Sequence, residues 1–134
     1  MNHAHWRLAI NQHDHLVCGG ADLVELARQY GTPLHIVDEG GLRGNYRAFV
    51  DAFRLTYPEV SVFYSYKTNC VPGVLAILNE EGCGAEVVSP YELWLATRVG
   101  VPMSHIIYNG AQKSMNDLSE AIRHGVGLIK FDRF

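Results

Sequence analysis

The stretch FYSYKTN, residues 63–69, holds the side chain with the clearest chemical potential, because its strand-forming aromatic residues end on Lys67. A lysine at the end of a buried parallel strand has its stem among apolar neighbours, and desolvation favours the neutral amine. A neutral amine forms a Schiff base with an aldehyde. Alternatively, Lys67 reaches solvent or pairs with a carboxylate such as Glu86. A binding module on an open α/β sheet would show the same pattern.

The elements that position Lys67 follow from hydrophobic periodicity and from Gly and Pro at the breaks. From residue 34 onward strands and helices alternate, which is typical of βαβ units and a parallel sheet. Such sheets carry their chemistry at the carboxyl ends of strands, where Lys67, Ser89, Asn109 and Asp132 fall. The predicted strands cover 34–37, 61–66, 85–88, 105–109 and 127–131, and the predicted helices cover 21–30, 42–56, 71–80, 91–99 and 115–124.

Composition and charge indicate a globular domain and argue against nucleic acid and membranes as partners. The chain has 134 residues, of which 48% are hydrophobic and 19% charged, as in a globular domain. A net charge of -3 gives no reason to expect nucleic acid as a partner. No apolar run approaches the ~20 residues of a membrane span, and the polar N-terminus lacks a signal-peptide core. We therefore expect no membrane association and a cytoplasmic location.

Cysteine and histidine patterns give little support for a metal or a disulfide. The three cysteines, Cys18, Cys70 and Cys83, form no CxxC pair, and we expect Cys70 to be a buried structural thiol. Four histidines fall in the first fifteen residues, but HAH and HDH lack the further ligands that a metal site requires. We predict no metal, and a polar tail or edge strand for this segment. Glycine-rich nucleotide motifs and a G-x-S-x-G elbow are absent from the sequence.

Four motifs in order carry a resemblance to a known family. YSYKTN at 64–69 resembles Y-A-x-K-A-N, and GTPLHIVD at 31–38 resembles G-T-P-L-Y-V-Y-D. GCGAEVVSPYEL at 82–93 resembles G-x-G-A-D-V-V-S-x-x-E-L, and IIYNGAQKS at 106–114 resembles I-x-F-x-G-N-N-K-S. The chain thus resembles the fold-type III pyridoxal-phosphate decarboxylases of diaminopimelate, ornithine and arginine. Enzymes of the diaminopimelate branch, which serve lysine biosynthesis, are the most similar by these motifs.

The resemblance implies a fold, a cofactor and roles for particular residues. It implies the N-terminal part of an α/β (β/α)₈ barrel of the alanine racemase-like type, with residues 1–30 leading into the barrel and 31–134 forming its first part. Lys67 would carry pyridoxal 5'-phosphate as a Schiff base. Glu86, at the family's aspartate position, would orient Lys67 or tune its pKa. Glu92 and Lys113 match family positions, where a helix-end contact or salt link is at least as good an interpretation as catalysis. The substrate would be a small amino acid, and the full-length form a homodimer.

The chain departs from the family pattern both in its motifs and in its length. SPYEL replaces the usual S-G-G-E-L and Thr68 replaces an alanine, which leaves the exact substrate undecided. Family members are about three times longer, so we expect a truncated barrel that is unstable or aggregates and is inactive by itself. The alternatives are a fold-type III racemase or cofactor-carrier protein, or an inactive remnant that binds a partner through the open barrel edge.

Overall fold

A computed structural model describes residues 7–131 of the chain. The chain divides into two compact units, residues 1–45 and 46–134. The predicted domain division between residues 30 and 31 remains a prediction, since a compact unit is not the same thing as a domain that folds independently. Within the described residues no helix is both long and apolar enough to cross a membrane.

The first unit contains a small antiparallel sheet, where the sequence analysis expected a polar tail or a single edge strand. Its strands are β1 (Leu8–Ile10), β2 (Leu16–Cys18) and β3 (Ala21–Asp22), in the order β1-β2-β3. Helix α1 (Leu23–Tyr30) follows directly and ends at Gly31, whose φ of 83° is accessible to glycine at little cost. The predicted helix therefore begins two residues too early. The signal that could have revealed the hairpin is the pair of apolar triplets LAI and LVC around a polar turn.

The predicted strand at 34–37 is wrong, because these residues form no β-ladder with any described residue. Periodicity can indicate an extended conformation, but a strand also needs a hydrogen-bonded neighbour. Helix α2 (Glu39–Arg54) begins three residues before the predicted start at Leu42. Gly40 and Gly41 obscured this turn because glycine is a poor helix former. Their amides donate hydrogen bonds to the Asp38 carboxylate, which caps the helix.

The second unit is a four-stranded parallel sheet with helices between its strands, which confirms the α/β prediction. The strands pair in the order β4-β5-β6-β7, and each helix connects one strand to the next. Strand positions agree with the prediction, but β4, β6 and β7 are shorter than predicted, and β5 has the predicted length and begins one residue earlier. The elements are β4 (Phe63–Ser65), α3 (Pro72–Glu80), β5 (Gly84–Val87), α4 (Pro90–Arg98), a 3₁₀ turn (Met103–His105), β6 (Ile106–Tyr108), α5 (Met115–Arg123) and β7 (Leu128–Ile129).

One face of this sheet packs into the core, and alternation along each strand decides which residues lie there. Ala85, Val87, Ile106 and Tyr108 are fully buried on that face. The helices contribute further members of the same cluster, which are Leu75 from α3, Leu95 and Ala96 from α4 and Ala121 from α5. The intervening residues, among them Glu86, therefore belong to the opposite face of the sheet, where the polar side chains gather.

Candidate functional site

Lys67 lies in a turn directly after β4, at the carboxyl edge of the parallel sheet. The Tyr66 amide still donates to the Glu86 carbonyl at 3.0 Å, and the Thr68 amide closes the turn on the Ser65 carbonyl at 3.1 Å. The Lys67 side chain is exposed, and its amine has no hydrogen-bond or ion-pair partner within residues 7–131. The expected apolar surroundings of this lysine are therefore wrong, because the strand ends two residues before it.

Glu86 lies on β5 and is fixed by side chains from both neighbouring strands. Its Oε2 accepts a hydrogen bond from Ser65 Oγ, the residue directly opposite in the β4–β5 register. Its Oε1 accepts from Asn109 Nδ2 at 2.8 Å, just beyond the end of β6. The alternative ion pair between Lys67 and Glu86 does not form among the described residues. The carboxylate is instead held by two neutral donors, which leaves its negative charge uncompensated.

The parallel arrangement explains why these side chains meet, because the carboxyl ends of β4, β5 and β6 lie at the same edge. The backbone amide of Asn109 donates a hydrogen bond to the Val87 carbonyl at 2.8 Å, so the β5–β6 ladder extends to the site. Gly110 follows with a φ of 94°, and a Cβ there would lie 2.9 Å from the Val88 carbonyl oxygen. Only glycine fits this close approach without strain. We name Ser65, Glu86 and Asn109 the carboxylate cluster.

Sequence reasoning found two members of this neighbourhood and missed the third. Asn109 was predicted at the end of a strand, and Glu86 through the family resemblance. Ser65 carried no signal of its own, since a serine within a strand is common. Its proximity to Glu86 follows from strand register, which the sequence does not state. Asp132, the other predicted strand-end residue, lies outside the described residues.

Ser89 and Glu92 form the start of α4 rather than part of the cluster. Ser89 Oγ accepts a hydrogen bond from the Glu92 amide at 3.2 Å, and Glu92 Oε2 accepts from the Val88 amide at 2.8 Å. Proline at the first helical position completes this N-terminus. Of the two roles predicted for Glu92, a structural contact or catalysis, the structure shows the helix-end contact. The glutamate of the family's E-L motif thus stabilises the start of a helix in this chain.

Lys113 also makes structural contacts. Its Nζ donates to the carbonyls of Gly110 and Lys130, the second at 2.7 Å, and lies 5.6 Å from the centre of the Tyr108 ring. These bonds join the loop after β6 to the end of β7. A lysine held by two carbonyl oxygens is a poor candidate for a nucleophile, because these contacts already engage its amine.

The cysteines and histidines offer no additional chemistry in the described part of the chain. Cys70 is exposed, so the prediction of a buried thiol is wrong, because the turn after β4 carries it away from the core. Cys83 is buried, and burial raises the pKa of its thiol to about 11. Residues 7–131 contain no group of three or more potential metal ligands. His3 and His5 lie outside the described residues.

Comparison with known proteins yields relatives that include diaminopimelate decarboxylases. The chain is 42% identical over 121 residues to the diaminopimelate decarboxylase of Methanothermobacter thermautotrophicus, covering 90% of this chain and 28% of that protein. It is 36% identical over 124 residues to the diaminopimelate decarboxylase of Bacillus subtilis, covering 92% of this chain and 28% of the relative. The chain therefore spans less than a third of the length of the curated relatives it matches.

Solved structures agree with the sequence relatives. The chain superposes with a TM-score of 0.83 on the crystal structure of a diaminopimelate decarboxylase from M. jannaschii in complex with L-lysine, at 31% identity, covering 92% of this chain and 29% of that one. A lysine/ornithine decarboxylase from Vibrio vulnificus, complexed with putrescine, gives a TM-score of 0.74 at 25% identity, with coverage of 94% and 32%. The described fold is thus the α/β architecture of the barrel decarboxylases, represented over about 30% of their length.

The family itself is established by a match that covers more than half of the chain. Residues 42–134 match the family described as pyridoxal-dependent decarboxylase, pyridoxal binding domain. This range includes Lys67 and the carboxylate cluster. The chain belongs to the pyridoxal-dependent decarboxylases and represents part of their pyridoxal-binding domain.

Proposed function

We propose that this chain is the N-terminal part of the barrel of a pyridoxal-phosphate-dependent amino-acid decarboxylase, in which Lys67 carries the cofactor. The observation that carries the proposal is the position of the Lys67 amine, without a partner among the described residues, at the sheet edge that also presents Glu86. Lys130 also follows a strand, but Lys67 follows the strand that pairs directly with the Glu86 strand.

The described residues include a group that can bind an aldehyde cofactor covalently, the amine of Lys67. Covalent attachment of an aldehyde needs an accessible primary amine, and Lys67 is exposed and makes no hydrogen bond within residues 7–131. By contrast, Lys113 is held by two carbonyl oxygens. When bound, pyridoxal phosphate supplies an electron sink for the charge that remains after loss of CO₂.

The mechanism assigns Lys67 two tasks. With pyridoxal phosphate bound, the Lys67 Nζ would hold it at the carboxyl edge of the sheet. With an amino acid bound in its place, the same amine would stay close by and could deliver a proton to the α-carbon. The turn at residues 66–68 limits how far this amine moves, because the hydrogen bonds of Tyr66 and Thr68 fix its backbone.

Glu86 is the second proposed site residue and acts through its charge. Ser65 and Asn109 hold its two oxygens, so the carboxylate has a fixed position on the β5 strand. An uncompensated negative charge near the site stabilises positive charge on a nearby amine. We propose that Glu86 orients the Lys67 amine through this charge. Replacement of Glu86 by glutamine would keep the hydrogen bond from Asn109 and remove this charge.

Diaminopimelate or a related amino acid is the proposed substrate. The relatives at 42% and 36% identity are diaminopimelate decarboxylases, and the M. jannaschii structure contains L-lysine. A homodimeric full-length form and a cytoplasmic location complete the proposal. We further propose that a polypeptide of these 134 residues alone does not decarboxylate, because the match covers only 28% of the length of the M. thermautotrophicus relative.

Reductive labelling tests the assignment of Lys67. Pyridoxal phosphate is added to the protein, the covalent bond is trapped with borohydride, and peptides are mapped by mass spectrometry. We expect the label on the Lys67 peptide and its loss in Lys67→Arg, which keeps the charge but cannot form the bond. Lys130→Arg is the matched control, because it also removes an exposed strand-end lysine. Equal labelling of all three lysines would contradict the proposal.

A further inference from the structure

A second exposed lysine at the carboxyl edge of the sheet, Lys130, lies on the same face as Glu86. The backbone amide of Lys130 donates a hydrogen bond to the Tyr108 carbonyl at 3.0 Å, so the pairing of β6 with β7 continues one residue beyond Ile129. Ile129 packs against the core cluster. Because side chains alternate along an extended chain, the Lys130 side chain projects from the opposite face.

The residue after Lys130 follows the same alternation. Lys113 Nζ lies 5.9 Å from the centre of the Phe131 ring and 5.6 Å from the centre of the Tyr108 ring. Tyr108 belongs to the core cluster, so its contact with the same amine indicates that Phe131 is also on the core side. Lys130 thus stands between two residues of the core face, and its own side chain is directed towards the face that carries Glu86.

This face also carries an apolar patch next to the polar side chains. Ile107 of β6 and Leu128 of β7 lie directly opposite each other in the strand register. Their neighbours Tyr108 and Ile129 belong to the core cluster or pack against it, so Ile107 and Leu128 project from the Glu86 face. Leu128 is 52% exposed. An accessible apolar surface with a few polar groups at its border is typical of a site for a small molecule.

The charges on this face favour an anion close to Lys130. Glu86 is the single acidic residue in strands β4 to β7, and its two oxygens accept hydrogen bonds from Ser65 and Asn109. The Lys130 amine is exposed and has no hydrogen-bond or ion-pair partner within residues 7–131. It follows the strand two positions from β5, about 10 Å away at the usual strand spacing. An ammonium group without a counter-charge attracts oxyanions.

Lys67 and Lys130 lie on opposite sides of the carboxylate cluster. Lys67 follows β4 and Lys130 follows β7, and these strands are the two outer strands of the four-stranded sheet. Three strand spacings separate them, about 14 Å along the sheet. The two amines therefore reach different parts of a ligand. A molecule that is attached to Lys67 and extends across the sheet brings its far end towards Lys130.

We propose that Lys130 binds the oxyanion of a ligand whose aldehyde is held by Lys67. The inference rests on the proposed function, because it places Lys130 relative to a ligand on Lys67, and it adds a residue that selects ligands by charge. Phosphate and carboxylate groups both supply such oxygens. The phosphate of pyridoxal phosphate and the carboxylate of an amino-acid substrate are thus the two sources that the experiment separates.

Two pairs of aldehydes distinguish these sources. 4-Carboxybenzaldehyde and its methyl ester differ in a carboxylate, and pyridoxal phosphate and pyridoxal differ in a phosphate. Each aldehyde is added to the 134-residue chain at submicromolar protein concentration. The Lys67 amine condenses with the aldehyde with loss of water, and borohydride reduces the new bond to a stable secondary amine. Mass spectrometry then gives the labelled fraction of the Lys67 peptide.

The ratio of anionic to neutral label on Lys67 measures the contribution of Lys130. Lys130→Gln should lower this ratio about two- to fivefold in at least one pair, the usual effect of one exposed charge pair. The pair that responds identifies the source of the oxyanion. Lys130→Arg keeps the charge and should keep the ratio. Arg98→Gln is the matched control, because it removes one positive charge from α4, on the core side of the sheet, and should leave the ratio unchanged.

The possible failures are distinguishable. If the neutral aldehydes label Lys67 and Lys130→Gln changes neither ratio, the inference is overturned and the assignment of Lys67 stands. If no aldehyde labels Lys67, both are refuted. The difference between wild type and Lys130→Gln should also disappear in about 0.5 M sodium chloride, because salt screens exposed charges. A difference that persists in salt would show a structural effect of the substitution and would overturn the inference.

Discussion

Replacement of Gly84 by alanine should destabilise the sheet that positions the candidate site. Gly84 is buried at the start of β5, directly opposite Phe63 of β4. A Cβ at this position would lie 2.4 and 2.5 Å from Cδ1 and Cε1 of the Phe63 ring, and 2.8 Å from the carbonyl oxygen of His105. Carbon atoms normally approach no closer than about 3.5 Å. One methyl group therefore requires both neighbours to move.

The expected loss of unfolding free energy follows from what can move. The Phe63 ring can rotate partly away, but the His105 carbonyl belongs to the backbone at the start of β6. Overpacking of this kind costs about 1–3 kcal/mol, and the backbone contact places Gly84→Ala in the upper half of that range. The same shift disturbs the β4–β5 register, which places Ser65 opposite Glu86. The carboxylate cluster should therefore loosen as well.

Urea denaturation at submicromolar concentration, followed by tryptophan fluorescence, measures this effect. Gly73→Ala is the matched control, because Gly73 lies in α3 and a Cβ there meets no atom within 4 Å. Alanine favours helix over glycine, so this variant should be unchanged or more stable by up to about 1 kcal/mol. If Gly84→Ala is as stable as wild type, the close packing of β4 against β5 described here is incorrect.

Three further predictions concern pH, capping and association. Desolvation alone would raise the pKa of Asp22, but hydrogen bonds from His15 and from the amides of α1 outweigh it and lower the pKa from 3.8 to about 2. Because the pKa of Asp22 is lower in the folded than in the unfolded state, the stabilisation is present above pH 4 and is lost as the pH falls towards 2. Asp22→Asn should flatten this part of an acid-unfolding curve. An unaltered curve would refute the assignment. Ser114→Ala removes the hydroxyl of the α5 capping box and should cost about 1 kcal/mol in urea denaturation, whereas an unchanged midpoint would mean that the cap contributes nothing. At tens of micromolar the 134-residue chain should self-associate in size-exclusion chromatography, because Phe49 and Phe53 are about half exposed, and a monomer with one cooperative unfolding transition would contradict this.

Much of the local structure could be predicted from the sequence because its causes are local. Serine before proline marked the start of α4, and Gly100 marked the point where the chain leaves it. Apolar spacing located α3, and the strict alternation of elements indicated a parallel sheet. The starts of α1 and α2 were exceptions, and for α2 Gly40 and Gly41 concealed a start that Asp38 stabilises.

Fold class, family and the position of Lys67 at a strand end could be inferred without coordinates, because periodicity, turn residues and ordered motifs are properties of neighbours along the chain. The remaining features of the site depend on long-range packing. Strand register brought Ser65 and Asn109 to Glu86, and the early end of β4 left Lys67 exposed. The predicted strand at 34–37 was wrong for the same reason, because an apolar pattern does not reveal whether a neighbouring strand is available for hydrogen bonding. Hydrogen-bond partners distant in sequence are fixed by packing, and packing is a property of the whole folded chain.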